Sequence, residues 1–169
     1  VCEDGEVFGE EYTLVACADY YLKHNPGNTV SNLSSSRALK DVSGLNGCNH
    51  FFSAVGEVNV VGLMKKKNAV IGGEGNGGII LPDLHYGRDA LVGIALFLSH
   101  LANLNISCSK LRSKYPSYFM SKDKIMLDKT VNVDRIINEI SKKYSDQEIN
   151  NLDGLKIDFE NSWVQLRKS

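Results

Sequence analysis

Short runs of β-branched residues alternate with segments of helical apolar spacing along the first two thirds of the chain. This alternation predicts an α/β fold in which a mixed sheet is flanked by helices. The predicted helices cover 10–24, 37–42, 57–66 and about 90–105, and the predicted strands cover 29–32, 48–52, 69–71 and 79–81.

The segment 90–105 is the most apolar part of the chain, and Asp89 before it is predicted to cap its helix. Because apolar residues occur nearly all round this helix, we expect it to lie in the centre of the fold. Its longest unbroken apolar run is far shorter than the roughly 18 residues that span a bilayer. The sequence therefore predicts no membrane partner.

The pattern changes after Cys108. A stretch rich in Lys, Ser and Tyr predicts a linker over 109–122, which separates a domain of residues 1–108 from a region of residues 123–169. That region shows one short amphipathic helix and two alternating strands, 155–159 and 163–168, which is typical of the start of an α+β domain. It is too small for a core of its own, so we interpret the chain as a segment of a longer polypeptide.

Composition narrows the classes of partner. The chain has 169 residues, of which 43% are hydrophobic, and 19 basic against 20 acidic side chains give a net charge of −1. Nothing in this balance steers the chain toward nucleic acid or an anionic membrane. The four cysteines form no C-x-x-C pair and have no histidine at ligand spacing. This favours reduced thiols, a cytoplasmic location and no metal site in this segment.

The glycine-rich stretch Gly73–Gly78 matches the G-x-G-x-x-G pattern of dinucleotide-binding proteins. That pattern needs a helix directly after the last glycine and an acidic residue about 20 positions further on. Here the stretch leads into the predicted strand Ile79–Leu81 and a proline, and Leu98 occupies the later position. Nucleotide binding is therefore disfavoured.

Glu74 and Asn76 are the residues of this stretch that carry side chains, and we expect them to project from a nearly bare loop that lets a ligand approach the backbone. A carboxylate and an amide two residues apart suit the vicinal hydroxyls of a sugar. The alternative is a tight turn whose polar side chains face water, and the spacing alone leaves both interpretations open.

Several motifs, taken together and in order, resemble the α-D-phosphohexomutases, the group of phosphoglucomutase, phosphomannomutase and phosphoglucosamine mutase. The motifs are Ser53–Glu57, the Gly-Glu-Gly-Asn-Gly-Gly stretch, His85–Ala90 with the apolar helix after it, and Trp163–Ser169. The resemblance covers essentially the whole chain. It implies the third domain of a four-domain enzyme and the beginning of the fourth.

The resemblance also implies site residues. Glu74 and Asn76 fall on the sugar-recognition loop, where asparagine replaces the commoner serine. Arg88 and His85 fall near the substrate phosphate, although a surface ion pair for Arg88 and a structural role for His85 are the alternatives.

At the end of the chain, Arg167 and Ser169 look like the opening of the phosphate loop of the fourth domain. A guanidinium group and a hydroxyl group suit the oxygens of a phosphate. The alternative is a dangling chain end.

The reaction implied is transfer of a phosphoryl group between O1 and O6 of a hexose, through a phosphoserine enzyme and a bisphosphate intermediate. The phosphoserine and the Mg²⁺ loop belong to domains that are absent here, so we expect no catalytic residue and no metal in this segment. The expected partners are a hexose phosphate and the missing domains. The alternative is a non-catalytic sugar-phosphate-binding module or paralogue.

Overall fold

The computed structural model describes residues 1–128 and 130–168, which form two compact units that divide after Phe119. The first unit combines helices with strands. In chain order these are α1 (Glu10–His24), β1 (Asn28–Asn32), α2 (Ala38–Leu45), β2 (His50–Ser53), α3 (Glu57–Lys67), β3 (Ala69–Gly73), β4 (Ile79–Leu81), β5 (His85–Arg88), α4 (Ala90–Leu104) and α5 (Cys108–Arg112).

The strands of the first unit form one mixed sheet in the order β2-β1-β3-β4-β5. The central strand β1 is parallel to both neighbours, and its Val30 pairs with Phe51 of β2 and Gly72 of β3. The turn after β3 reverses the chain, so β4 and β5 are antiparallel additions at one side. The predicted α/β class with a mixed sheet is confirmed.

Helices cover both faces of the sheet. On one face α1 packs against α2 and α4, and their apolar side chains form the larger core with Ile71, Ile79 and Leu81 of the sheet. On the other face, α3 places Val60 and Met64 against Val30 and Ile80. The alternation of side chains along each strand supplies both layers.

The position of α4 differs from the expectation. This helix lies at the outside of the first unit, where it buries Val92, Gly93 and His100 and exposes mostly apolar side chains. Leu91 is 78% exposed and Leu98 is 57% exposed. The prediction of a central helix was wrong because one apolar side is enough to pack against α1 and the sheet. Burial within this chain does not explain why the other side is apolar.

The predicted linker also differs from the structure. Residues 109–119 belong to the first unit, because Leu111 and Tyr115 are buried in its larger core. The hydroxyl of Tyr12 on α1 donates to the carbonyl of Pro116 at 2.8 Å and accepts from the N–H of Tyr118 at 2.9 Å. The polar composition of this stretch concealed its two core residues.

A buried polar network joins α1, α4 and the chain after α5. Nε2 of His100 lies 3.1 Å from Oδ2 of Asp19 and 3.1 Å from the hydroxyl of Tyr115, which itself donates to Asp19 at 3.1 Å. Burial acts to raise the pKa of Asp19, but hydrogen bonds from His100 and Lys23 outweigh it and hold that pKa well below its ordinary value. The ionised carboxylate therefore stabilises the folded state.

The second unit contains α6 (Val133–Lys143), β6 (Glu148–Asn150), β7 (Leu155–Asp158) and β8 (Trp163–Leu166). Its strands form an antiparallel sheet in the order β6-β7-β8. The helix and the β7–β8 hairpin match the predicted elements, whereas β6 was not predicted. Leu155 and Ile157 of the central strand are buried, and α6 buries none of its residues.

The Asp19 network predicts a specific pH dependence of stability. A carboxyl group whose pKa is lowered on folding contributes stability above its unfolded pKa of about 3.9, and this contribution is lost as pH falls below that value. We expect Asp19→Asn to lower the free energy of unfolding at pH 7 by about 1–3 kcal/mol and to flatten its decline in acid. Urea titrations between pH 7 and pH 3 measure both effects.

Glu6→Gln is the matched control, because Glu6 is exposed and lies outside the network. It should keep the pH profile of the parent chain. Equal acid sensitivity of the Asp19→Asn and Glu6→Gln variants would contradict the assignment.

Candidate functional site

The carboxyl ends of three neighbouring strands meet at one edge of the mixed sheet. Because β2, β1 and β3 are parallel, the loops after Ser53, Asn32 and Gly73 leave the sheet on the same side. In open α/β sheets the ligand crevice lies outside the carboxyl ends of the strands, where successive connections lead to opposite faces. Here α2 follows β1 on one face and α3 follows β2 on the other. This edge is the candidate site.

Glu74 is the first residue after β3, and its carboxylate joins all three loops. Its Oε1 accepts a hydrogen bond from Nδ2 of Asn32 at 2.8 Å and one from the N–H of Gly56 at 3.1 Å. The side chain is only 8% exposed. The expectation that Glu74 projects freely from a bare loop was therefore wrong, because the ends of β1 and β2 lie close enough to hold it.

The second oxygen of Glu74 has a different environment. In the part of the chain that the structure describes, Oε2 takes part in no hydrogen bond, whereas Oε1 accepts two. Since no fully buried side-chain oxygen among the described residues lacks a hydrogen-bond partner, Oε2 is accessible to solvent. Fixed through Oε1, the group presents Oε2 as a ready acceptor for a ligand that donates hydrogen bonds.

Protein groups fill the space beside two glycines of the loop. A Cβ on Gly75 would lie 2.5 Å from Oε1 of Glu11, and a Cβ on Gly78 would lie 2.5 Å from Cδ of Arg88. Gly77 has a φ of +80°, in the left-handed region that favours glycine. The loop is therefore glycine-rich at these positions for internal packing and backbone geometry, rather than for ligand approach.

Glu11 is a residue of this site that the sequence did not reveal. Both oxygens of its carboxylate accept from the backbone N–H of Ser36, at 2.9 and 3.0 Å. It thereby ties the first turn of α1 to the loop between β1 and α2. A small cavity lies between Glu11, Ser36 and Gly75. In the sequence, an acidic residue in a first helical turn is sufficiently explained by the helix dipole, so nothing marked this contact.

Arg88 lies at the end of β5 beside the same loop, with its aliphatic stem against Gly78. Its Nε donates to Oε2 of Glu57 at 2.8 Å, and Glu57 directly follows the Gly56 that binds Glu74. The ion pair that was the alternative interpretation of Arg88 is therefore present. Both side chains are partly exposed, so the pair adds little stability.

Asn76 is exposed near the tip of the loop, and its Oδ1 accepts from the N–H of Gly78 at 3.3 Å. This contact within the loop leaves the two amide hydrogens of Asn76 directed to solvent as potential donors. Asn76 thus fits both interpretations of the loop, a polar turn and a contact to a sugar hydroxyl.

His85 lies on β5, and both of its ring nitrogens have partners. Nε2 lies 3.0 Å from Oδ2 of Asp89, and Nδ1 accepts from the N–H of Gly87 at 3.0 Å. Asp89 caps α4 as predicted, through the N–H groups of Leu91 and Val92. Hydrogen bonds from the Val92 backbone and from His85 lower the pKa of Asp89. This geometry agrees with a structural role for His85.

In the second unit, Nη1 of Arg167 lies 3.6 Å from Oδ2 of Asp153, and the Arg167 side chain is about half exposed. Ser169 lies outside the described residues. The phosphate-binding role of this pair stays a prediction.

The described residues were also examined for a metal-binding cluster and for a membrane-spanning helix. Within the described ranges 1–128 and 130–168, no group of three or more His, Cys, Asp or Glu side chains is placed to hold a metal ion. The same residues include no helix with the length and apolar character needed to cross a membrane. All four cysteines are free thiols.

The contact between Gly75 and Glu11 generates a stability prediction. Gly75→Ala should displace the Glu11 carboxylate from Ser36 and cost about 1–3 kcal/mol of unfolding free energy, as overpacking does elsewhere. Gly62→Ala is the matched control, because an added Cβ there meets no atom within 4 Å and alanine favours the helix. Thermal or urea unfolding measures both.

A double variant tests whether the clash with Glu11 causes this loss of stability. If the clash is with Glu11, Gly75→Ala should cost clearly less in a chain that already carries Glu11→Ala. Additive losses would contradict the proposed contact.

Comparison with known proteins identifies the family. Residues 9–118 match the profile of the phosphoglucomutase/phosphomannomutase alpha/beta/alpha domain III. A phosphoglucomutase/phosphomannomutase of Thermococcus kodakarensis is 31% identical over 170 residues, which cover 99% of this chain and 37% of that protein. A phosphoglucosamine/phosphogalactosamine mutase of Sulfurisphaera tokodaii is 32% identical over 142 residues, which cover 83% of this chain and 31% of that protein. The chain thus spans less than two fifths of the length of these relatives.

Solved structures agree on the fold. A phosphoglucomutase/phosphomannomutase family protein from Burkholderia thailandensis superposes with a TM-score of 0.78 at 20% identity, over 98% of this chain and 36% of that one. The mixed sheet, the loop order at its carboxyl edge and the matched domain profile lead to one conclusion. The chain belongs to the phosphoglucomutase/phosphomannomutase family, in which its first unit is domain III.

Proposed function

We propose that the first unit binds the sugar ring of a hexose phosphate, as part of a phosphohexomutase that transfers a phosphoryl group between O1 and O6. The observation that carries the proposal is the carboxylate of Glu74. It is held at the carboxyl edge of the sheet through Oε1, and Oε2 has no hydrogen-bond donor among the residues described.

Sugar hydroxyls fit this acceptor. A hydroxyl group donates a short, charge-assisted hydrogen bond to a carboxylate, and two neighbouring hydroxyls can share one oxygen. Since Asn32 and Gly56 fix the group before a ligand arrives, little conformational entropy is lost on binding. The proposed role of Asn32 is to position Glu74 rather than to contact the sugar.

Arg88 is the proposed partner of the phosphate. Its Nε is held by Glu57, which leaves the terminal Nη groups as donors for phosphate oxygens. The half-exposed side chain lies against the same glycine-rich loop as Glu74. Relatives named for mutases of phosphorylated glucose, mannose and glucosamine agree with a ligand of this class.

The phosphoryl donor and Mg²⁺ are proposed to lie in other domains of the intact protein. The described residues hold no suitable acidic cluster for the metal. Ser35 and Ser36 in the loop after β1 are buried, and the Ser35 hydroxyl donates to Asn32 at 3.0 Å. These two hydroxyls are therefore too enclosed to serve as phosphorylation sites. In the intact enzyme, bound Mg²⁺ would neutralise charge on the transferred phosphoryl group.

The first test replaces Glu74 with Gln. The glutamine carbonyl can keep the hydrogen bonds from Asn32 and Gly56, while its amide nitrogen replaces the acceptor Oε2. We expect the fold to persist and the affinity for glucose 1-phosphate to fall about tenfold, the loss of one charge-assisted hydrogen bond. NMR titration of the 169-residue chain follows the amide signals of the loop from Gly75 to Gly78.

Titrations with mannose 1-phosphate and glucosamine 1-phosphate compare the affinity of the chain for the three sugar phosphates. Glu148→Gln is the control, because Glu148 is exposed on β6 of the second unit. Unchanged affinity in Glu74→Gln, or signal changes confined to other regions, would refute the sugar-binding role.

The second test measures catalysis. The 169-residue chain should show no mutase turnover with glucose 1-phosphate, Mg²⁺ and glucose 1,6-bisphosphate, because the serine that carries the phosphoryl group is proposed to lie in another domain. A coupled assay for glucose 6-phosphate measures this. Turnover above the rate without protein would show that this segment contains catalytic machinery.

A further inference from the structure

Two of the four thiols of the chain lie in contact within the first unit. Sγ of Cys2 donates to Sγ of Cys108 at 3.4 Å, although the two residues are 106 positions apart. The wide spacing of the cysteines favoured reduced thiols, and all four are free in the structure. The fold therefore creates a thiol pair that the spacing along the chain could not reveal.

Neighbouring residues hold the two sulfurs together. Glu3 directly follows the first cysteine of the pair, and Ser109 directly follows the second. Oε1 of Glu3 accepts from the hydroxyl of Ser109, and its Oε2 accepts from the Ser109 N–H at 3.2 Å. Hydrogen bonds from the side chains of Ser107 and Ser109 lower the pKa of Glu3 to about 2. The ionised carboxylate thus joins the two segments that carry the thiols.

The geometry permits a bond between these sulfurs. A disulfide needs an S–S distance of about 2.05 Å, so the two atoms must approach by roughly 1.4 Å. Cys2 lies in a turn and Cys108 begins the short helix α5, so the approach displaces no strand of the sheet. The thiols of Cys17 and Cys48 instead donate to backbone carbonyls, at 3.4 and 3.3 Å.

We propose that Cys2 and Cys108 form a site of reversible oxidation, at which glutathione disulfide converts the thiol pair into an intramolecular disulfide bond. The bond would close a loop that contains α1 to α4 and the whole mixed sheet. Because a cross-link over a long loop strongly restricts the unfolded chain, the oxidised first unit is the more stable form.

The oxidation takes place in two exchange steps. Cys108 is partly exposed and Cys2 is buried, so Cys108 meets the oxidant. Its thiolate attacks one sulfur of glutathione disulfide, and the glutathione that leaves takes up the proton lost by Cys108. The sulfur of Cys2 then loses its proton and attacks the sulfur of Cys108, which releases the second glutathione. Two electrons pass from the two cysteines to glutathione disulfide.

The first step is slow at neutral pH. Burial, followed by the hydrogen bond with Cys2 and the charge of Glu3, raises the pKa of Cys108 to about 11. Since the thiolate is the nucleophile, little of the reactive form is present. The pair therefore suits a cross-link that forms during lasting oxidation, rather than a rapid sensor.

Peptide mapping of the 169-residue chain tests the proposal. The folded chain is incubated with excess glutathione disulfide in mildly alkaline buffer, then denatured, alkylated and cleaved after glutamate without reduction. Cleavage at Glu3 separates Cys2 from Cys17. We expect a linked pair of peptides that contain Cys2 and Cys108, and its loss after treatment with dithiothreitol.

Thermal unfolding of the oxidised and reduced chains measures the effect on stability. The midpoint of the parent should rise by about 10 °C on oxidation. Cys48→Ser is the matched control for Cys108→Ser, because both replace a partly buried thiol. Cys48→Ser should respond to the oxidant as the parent does, and Cys108→Ser should show no shift.

Four results would overturn the proposal: a chain that keeps four free thiols, a lasting glutathione adduct on Cys108, a bond that involves Cys17 or Cys48, or a Cys2–Cys108 bond that lowers the midpoint. None of these results concerns Glu74, so the sugar-binding role is tested separately.

Discussion

A single carboxylate oxygen holds together the edge of the sheet on which the site is built. Oε1 of Glu74 accepts from the side chain that ends β1 and from the backbone that follows β2, while Glu74 itself directly follows β3. Removing either donor would leave this largely buried carboxylate with a single hydrogen bond, so the two donors favour one arrangement of the three strand ends. The parallel pairing of β1 with both neighbours makes that arrangement possible.

The glycine-rich loop runs from an acidic to a basic environment. Gly75 lies against the carboxylate of Glu11, and Gly78 lies against the stem of Arg88. A neutral group that donates hydrogen bonds is favoured at the first end, and an anion is favoured at the second. A phosphorylated sugar carries both kinds of group. Under the proposed function, this order of charges would direct the sugar hydroxyls toward Gly75 and the phosphate toward Gly78.

The sequence predicted elements whose signals are local. The acidic first turn of α1, the capping Asp89 and the apolar spacing of α3 are all readable from neighbouring residues, and these helices begin where expected. The edge strand β5 was missed because its side chains are mostly exposed and lack strand alternation. Glu74 was found as a candidate, but the contact with Asn32 that fixes it depends on pairing across the sheet.

The burial of two other segments was wrongly predicted, and the reason is the same for both. Leu111 and Tyr115 are core residues within a polar stretch, and Leu91 and Leu98 are surface residues within an apolar one. Average composition over a window describes how much apolar surface a segment has, but not which side chains another element covers. Only the positions of α1 and the sheet decide that.

The side chain of Tyr12 attaches the C-terminal end of the first unit to its first helix. Its hydroxyl serves as donor to Pro116 and acceptor from Tyr118, and the guanidinium of Arg112 stacks on its ring at 3.4 Å from the centroid. A chain that ended at residue 108 would lose all three contacts and would expose the core residues that pack against Leu111. A stop codon placed after Phe119 preserves them, and a protease should find its first easy cut beyond that point.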